Sequence, residues 1–261
     1  MEIWQAVILG AVQGFTEFLP VSSSGHLILL QNWFGINQNV VFYSIMLHIG
    51  TLIPVVIVLW KQIVGLFRRL LSKLWCLVLA TIPAGVVGII FALVFDLDTL
   101  FGEYYWLLAI TFMLTAVELL FAERRAKKVE MNNGINVKTA FIMGAGQAFG
   151  VIPGLSRSGT TITAGCIGRV KKSENANFTF LMSIPIILAA AGMELVKGVK
   201  DGTLVSIDFV PVLVGMLTSA VCGYIAIKFM LNIIRKANYK WFSVYLVGIA
   251  IATVTTYLLG V

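Results

Sequence analysis

Charge is what this chain has least of. Asp, Glu, Lys and Arg make up 12% of its 261 residues, and 59% are hydrophobic. Soluble domains carry about 25% charged residues, so a water-facing globular surface is excluded. Cysteine is scarce as well. Cys76, Cys166 and Cys222 fall in or beside apolar segments with no CxxC spacing. They read as small buried hydrophobes and exclude a disulfide framework or a cysteine metal site. The opening MEIWQAVILGAVQGFTEF has neither a basic n-region nor an A-x-A-like site, so no cleavable signal is expected. Bulky cores joined by linkers are also missing, so residues 1–261 are expected to form a single domain.

What is present is a series of apolar runs, at roughly 39–60, 76–95, 105–122, 176–196, 209–230 and 241–260. Each approaches the ~20 residues that cross a bilayer. The chain is therefore expected to be an all-α polytopic membrane protein with six full transmembrane helices. The net charge of +7 is distributed as orientation requires. Lys61, Arg68, Arg69 and Lys73 lie between the first two runs, and Arg124, Arg125, Lys127, Lys128 and Lys138 follow the third. Arg169, Lys171 and Lys172 precede the fourth, and Lys228, Arg235, Lys236 and Lys240 lie between the last two. One topology places all four groups in the cytoplasm, opposite Asp96, Asp98, Glu103 and the weakly charged 197–208 stretch. The basic surplus then sets orientation and implies no nucleic-acid partner. Only Arg157 escapes this account.

Two stretches resemble each other. ILGAVQGFTEFLPVSSSGHLI, residues 8–28, aligns with IMGAGQAFGVIPGLSRSGTTI, residues 142–162, at an offset of 134 positions. Apolar identities are expected by chance in such a chain. Gln13/Gln147, Ser22/Ser156, Ser24/Ser158 and Gly25/Gly159 are not. The copies differ at Glu17, Ser23 and His26, which face Val151, Arg157 and Thr160. One site built from two unlike halves is the expectation.

Each repeat holds a broken apolar segment followed by three spans: repeat 1 over 1–122, a basic connector over 123–138, and repeat 2 over 139–261. If each broken segment enters and leaves on one side, three crossings invert the second repeat relative to the first. Non-helical backbone at membrane depth must be buried in protein or line a wet cavity. PVSSSGH and PGLSRSGTT are therefore expected at the tips of two re-entrant helical hairpins that meet.

The residue types suggest a chemistry. Gln13 and Glu17 share a helix face, Pro20 ends that helix, and Ser22, Ser23, Ser24 and Gly25 form a polar turn before His26. In the second motif Ser156, Arg157, Ser158, Gly159 and Thr160 lead into a helix whose N-terminal amides suit an anion. Arg157 adds a fork for two phosphate oxygens. Hydroxyls, a carboxylate and an imidazole opposite it are the parts for nucleophilic attack on phosphorus. Ser22, Ser24 and Ser158 taken singly fit close helix packing equally well. Gln147 reads as a satisfied interhelical donor, and His48 as structural or as a support for the residues of the site.

QGFTEFLPVSSSGH and PGLSRSGTT resemble the two signature motifs of the undecaprenyl-diphosphate phosphatase family, the bacitracin-resistance type of membrane lipid pyrophosphatase. The resemblance covers the whole chain. It implies hydrolysis of undecaprenyl diphosphate to the monophosphate and phosphate, recycling the lipid carrier for peptidoglycan. It implies a plasma-membrane protein with an extracytoplasmic site, membrane lipid and a polyprenyl diphosphate as partners, and a divalent cation, Mg2+ or Ca2+, as cofactor. A homodimer is compatible with it. Carried onto this sequence, Ser23 is the nucleophile, Arg157 the phosphate clamp, Glu17 the base or metal-linked carboxylate, and His26 a proton donor or alternative nucleophile. Gln13, Ser22, Ser24, Gly25, Ser156, Ser158, Gly159 and Thr160 are the implied substrate contacts. Gln13 stands where many members have Glu, which leaves one carboxylate fewer for a metal.

The rival expectation is an inverted-repeat transporter or flippase for an anionic lipid, which would need no nucleophile and base. SSSGH also resembles an element of the acid-phosphatase-like lipid phosphatases. Those need a late histidine, and this chain has only His26 and His48.

Overall fold

A computed structural model describes residues 1–36, 39–68, 71–95, 97–200 and 208–260. Arg69, Asp96 and most of the 197–208 stretch lie outside the described residues. The described chain is helical throughout, apart from one isolated bridge between Asn133 and Val170. Its elements are α1 (Ile3–Phe18), α2 (Ser23–Trp33), α3 (Val40–Val58), α4 (Trp60–Arg68), α5 (Leu71–Val94), α6 (Leu97–Glu103) and α7 (Leu107–Lys128), then α8 (Val137–Phe149), α9 (Arg157–Ile167), α10 (Lys172–Lys200), α11 (Phe209–Lys236) and α12 (Lys240–Leu259).

Helices α3, α5, α10, α11 and α12 are long and apolar enough to cross a membrane. Their outer faces carry exposed Ile57, Val86, Ile90, Val221, Phe229 and Ile251. A water-facing helix would be polar there, so the chain is an all-α polytopic membrane protein. The apolar run expected to span at 105–122 forms helix α7, which is not among the five helices apolar enough to cross. Glu118, Glu123 and a basic tail make it more polar than the other five.

The repeat is visible in the packing. Helix α1 lies on α11 and α8 on α5; α3 lies on α11 and α10 on α5. A Cβ on Gly10 would stand 2.4 Å from the Gly215 carbonyl, and one on its mate Gly144 would stand 2.5 Å from the Ala80 carbonyl. Only glycine allows either backbone approach. Helix α2 and its mate α9 begin and end 134 residues apart, at Ser23–Trp33 and Arg157–Ile167.

Three of the four basic stretches converge at one end of the molecule. Arg125 donates to the carbonyls of Cys166 and Ile167 at the end of α9. Asn133 exchanges backbone bonds with Arg169 and Lys171. Buried Glu123 accepts from the Tyr239 and Lys240 amides at 2.6 and 2.7 Å, capping α12 from α7.

Candidate active site

The α1–α2 and α8–α9 connections are tight because their sequences cannot continue a helix. Pro20 lacks an N–H, and α8 ends at Gly150, ahead of Pro153 and of Gly154 at φ +84°. The paired serines then restart each chain. Ser22 Oγ accepts from Gly25 N at 3.4 Å, and Ser156 Oγ accepts from Gly159 N at 3.1 Å. Both are helix N-caps, so the identities between the repeats are scaffolding. The two caps are not equivalent. Ser22 sits at φ +68°, a left-handed conformation costing about 1–3 kcal/mol for a residue with a Cβ. Its mate Ser156 is at φ −77°.

The two tips are in contact. A Cβ on Gly25 would stand 2.9 Å from Gly154 Cα. Ser158 Oγ donates to the Leu19 carbonyl across the junction at 3.3 Å. Four charged or polar side chains meet there. Glu17 is the hub, with its side chain 3% exposed. Its Oε1 pairs with Arg157 Nη2. Its Oε2 accepts from Ser23 Oγ at 2.8 Å and from Gln13 Nε2 at 3.0 Å. Burying a carboxylate away from water is costly unless it is paired and hydrogen-bonded, and Glu17 is both. Arg157 Nη1 reaches the Ser183 carbonyl on α10 at 3.4 Å. A Cβ on Gly150 would stand 2.5 Å from Arg157 Cα, so the end of α8 bears directly on the arginine backbone.

His48 joins this cluster from α3. Its Nδ1 lies 2.7 Å from the Ser44 carbonyl. A carbonyl only accepts, so Nδ1 carries the hydrogen. Nε2 is thereby aimed at the hub, 3.4 Å from Glu17 Oε2 and 3.5 Å from Ser23 Oγ.

These groups line a cavity of about 770 Å³. Its polar floor holds Glu17, Ser23, His48, Gln147 and Arg157. Its walls are apolar, from Val41 and Ile45 on α3, Gly85, Gly88 and Ile89 on α5, and Ile187 and Ala190 on α10. Such a space takes an anionic head at one end and hydrocarbon at the other.

The sequence-predicted residues divide into three groups. Glu17, Ser22, Ser23, Ser24, Ser156, Arg157 and Ser158 line the cavity. Gln13, fully buried, buttresses Glu17. Gly25 and Gly159 serve the tip contact and the cap, and Thr160 Oγ1 donates to the Arg157 carbonyl. His26 is not brought to the cluster. Its Nδ1 donates to the Ser22 carbonyl at 2.7 Å, and its Nε2 accepts from the Tyr245 hydroxyl at 2.8 Å. The ring stacks on Tyr245 of α12. His48 and Gln147 were missed. The signal for both was a polar group in an apolar helix, where function is a standing expectation.

A side-chain cage for a divalent cation does not fit these residues. Among the described residues no three His, Cys, Asp or Glu side chains cluster as metal ligands. Among the described residues Glu17 is the one carboxylate lining the cavity, both its oxygens are engaged, and a guanidinium adjoins it.

The chain resembles known proteins over nearly its whole length. Residues 6–252 match the family described as bacitracin resistance protein BacA. An undecaprenyl-diphosphatase of Carboxydothermus hydrogenoformans is 39% identical over 247 residues, covering 94% of both chains. One of Caldicellulosiruptor bescii is 37% identical over 99% of both chains. One of Methanobrevibacter smithii is 36% identical over 96% of this chain and 97% of its own.

Proposed function

The chain belongs to the bacitracin resistance protein BacA family, and from that premise we propose that it hydrolyses undecaprenyl diphosphate to undecaprenyl phosphate and phosphate. The observation that carries the reading is the Glu17–Ser23–Arg157 cluster at the junction of two hairpin tips, flooring a cavity with apolar walls. The diphosphate sits on the floor, and the polyprenyl tail lies along α5 and α10 towards membrane lipid.

Arg157 holds the terminal phosphoryl group with the N–H donors that Glu17 and Ser183 leave free. Charge developing on the phosphoryl oxygens is stabilised there in a site shielded from water. Ser23 Oγ attacks phosphorus while Glu17 Oε2, already accepting its hydrogen bond, takes the proton. The P–O bond to the bridging oxygen breaks and undecaprenyl phosphate leaves, with Ser23 carrying the phosphoryl group. Glu17 gives that proton to the departing phosphate oxygen and is ionised again. It then takes a proton from a water that attacks the phosphoseryl phosphorus, and returns it to Ser23 Oγ as the Ser23–phosphorus bond breaks and phosphate leaves. His26 enters none of these steps, because its ring nitrogens are engaged by Ser22 and Tyr245. A divalent cation, Mg2+ or Ca2+, would have to be held by oxygens of the diphosphate and by water, since the described residues of this site form no cage for it.

The repeat-related packing supports a single domain, with 1–122 and 139–261 as inverted repeats and the hairpins re-entrant. The basic ends of α7 and α9 and the start of α12 then face the cytoplasm of a plasma-membrane protein. The active site opens on the extracytoplasmic side. Every group of the cluster comes from one chain, so a homodimer is not needed to complete it. A transporter or flippase for an anionic lipid would have no use for a serine hydrogen-bonded to a carboxylate.

The test is phosphate release from undecaprenyl and farnesyl diphosphate by the detergent-purified protein, with and without a chelator. Wild type should turn over, and Ser23→Ala and Arg157→Ala should lose nearly all activity while remaining folded. A protein that only transports would release no phosphate.

A further inference from the structure

Gln147 is 1% exposed and lines the cavity, yet neither Nε2 nor Oε1 of its amide has a hydrogen-bond partner. Other buried side-chain atoms share that condition, on Gln13, Gln31, Trp33, Glu118 and Ser243, but none of those residues lines the cavity. Gln147 is also the one glutamine among them with both amide atoms free. A buried amide without bonds is costly, and a native structure that keeps one needs a reason.

The repeat supplies the reason. Gln13 and Gln147 are mates at the 134-residue offset. Gln13 spends its amide nitrogen on Glu17, four residues on. The residue four beyond Gln147 is Val151, which offers no acceptor. The second repeat therefore keeps the amide but lacks the carboxylate, and the amide is left to the cavity. Three residues on, just past the end of α8, Gly150 bears on Arg157, so Gln147 lies on the Arg157 side of the site.

We propose that Gln147 is a ligand of the substrate's terminal phosphoryl group, beside Arg157. Nε2 donates to an ionised phosphoryl oxygen, which the neighbouring guanidinium draws in. Oε1 accepts from a P–OH on the same phosphorus. A carboxamide edge offers one donor and one acceptor, which is the complement of a monoprotonated phosphoryl face. The phosphorus bonded to the lipid has no such face at its ester oxygen. This assignment rests on the phosphoanhydride hydrolysis proposed above.

Gln147→Leu tests it, since leucine nearly matches the volume and removes both polar atoms. The readouts are the apparent Tm, kcat/KM for undecaprenyl diphosphate, and protection against thermal unfolding by inorganic phosphate. The expected result is an unchanged or higher Tm, a 10- to 100-fold lower kcat/KM, and at least 10-fold weaker phosphate protection. A lowered Tm would make Gln147 a packing residue and overturn the proposal, whatever the activity. So would a kcat/KM within two-fold of wild type. If wild type hydrolyses neither lipid, the phosphatase reading fails, and phosphate protection alone then decides the role of Gln147. Wild-type turnover with an equally active Gln147→Leu would sink only the glutamine assignment.

Discussion

Arg157→Lys separates the charge of the clamp from its shape. A guanidinium has five N–H donors in a fixed plane. In the resting site one nitrogen serves Glu17 and another serves the Ser183 carbonyl. That leaves about three donors for phosphoryl oxygens, arranged to meet two at once. Lysine keeps the charge, so the pair with Glu17 survives and little stability should be lost. Arg157→Ala, by contrast, leaves Glu17 buried beside only Gln13, Ser23 and His48. Removing one partner of a buried pair costs about 3–5 kcal/mol, and the lower end applies because the other bonds to Glu17 remain. The ammonium cannot reproduce the planar fork. Losing one preorganised donor to a developing oxyanion costs about 2.7–4 kcal/mol, or ~10²–10³ in kcat. The assay is steady-state phosphate release from farnesyl diphosphate in detergent, with apparent Tm measured in parallel. We expect Arg157→Lys to unfold near the wild-type temperature and to lose ~10²–10³ in kcat. A lysine variant within three-fold of wild type would refute the reasoning, since charge alone would then suffice.

Glu123→Ala removes the acceptor of the Tyr239 and Lys240 amides; at about 1.5–3 kcal/mol for hydrogen bonds to a charged group, apparent Tm should fall by about 5–10 °C with kcat per folded molecule unchanged. Equal melting would show that the cap carries no stability. Gly150→Ala sets a Cβ against the Arg157 backbone, and the displaced clamp should cost about 10²-fold in turnover, read in the same phosphate assay; full activity would mean that this close contact does not position the arginine. Gly88→Leu projects into open space on the cavity wall. It should lower kcat/KM for undecaprenyl diphosphate about ten-fold while sparing farnesyl diphosphate, as loss of a few apolar contacts implies. Equal effects on both substrates would move the tail path elsewhere.

Much of this was legible in the sequence, because the repeat encodes its own geometry. Identical serines at one offset both became helix N-caps, though with different backbone conformations, and α2 and α9 share their bounds at that offset. The unlike residues Glu17, Ser23 and Arg157 did converge. What sequence could not supply was the direction in which a polar side chain faces once helices distant in the chain pack together. His26 sits inside the motif, yet Tyr245, 219 positions away, takes its free nitrogen. His48 lies outside the motif, yet the Ser44 carbonyl turns it towards Glu17. Gln147 reads from sequence as a satisfied donor because a lone glutamine in a membrane helix usually bonds a neighbouring helix. Only packing reveals that no partner is supplied. The apolar walls were invisible for a simpler reason: in a chain 59% hydrophobic, a residue facing a cavity looks like one facing lipid.

The meeting of the tips has an electrostatic consequence. Helices α2 and α9 both begin at the junction, so two helix N-termini lie close together there. Each end carries roughly half a positive charge, and Arg157 adds a whole one. Left to itself, the junction would push its two halves apart. Glu17 is the resident counter-ion that holds it closed, and an incoming anion answers the same field. Folding and substrate capture thus draw on one source of attraction. Inorganic phosphate should therefore raise the apparent Tm of Glu17→Gln more than that of wild type. Equal stabilisation of the two would show that the two neighbouring helix ends do not feel each other.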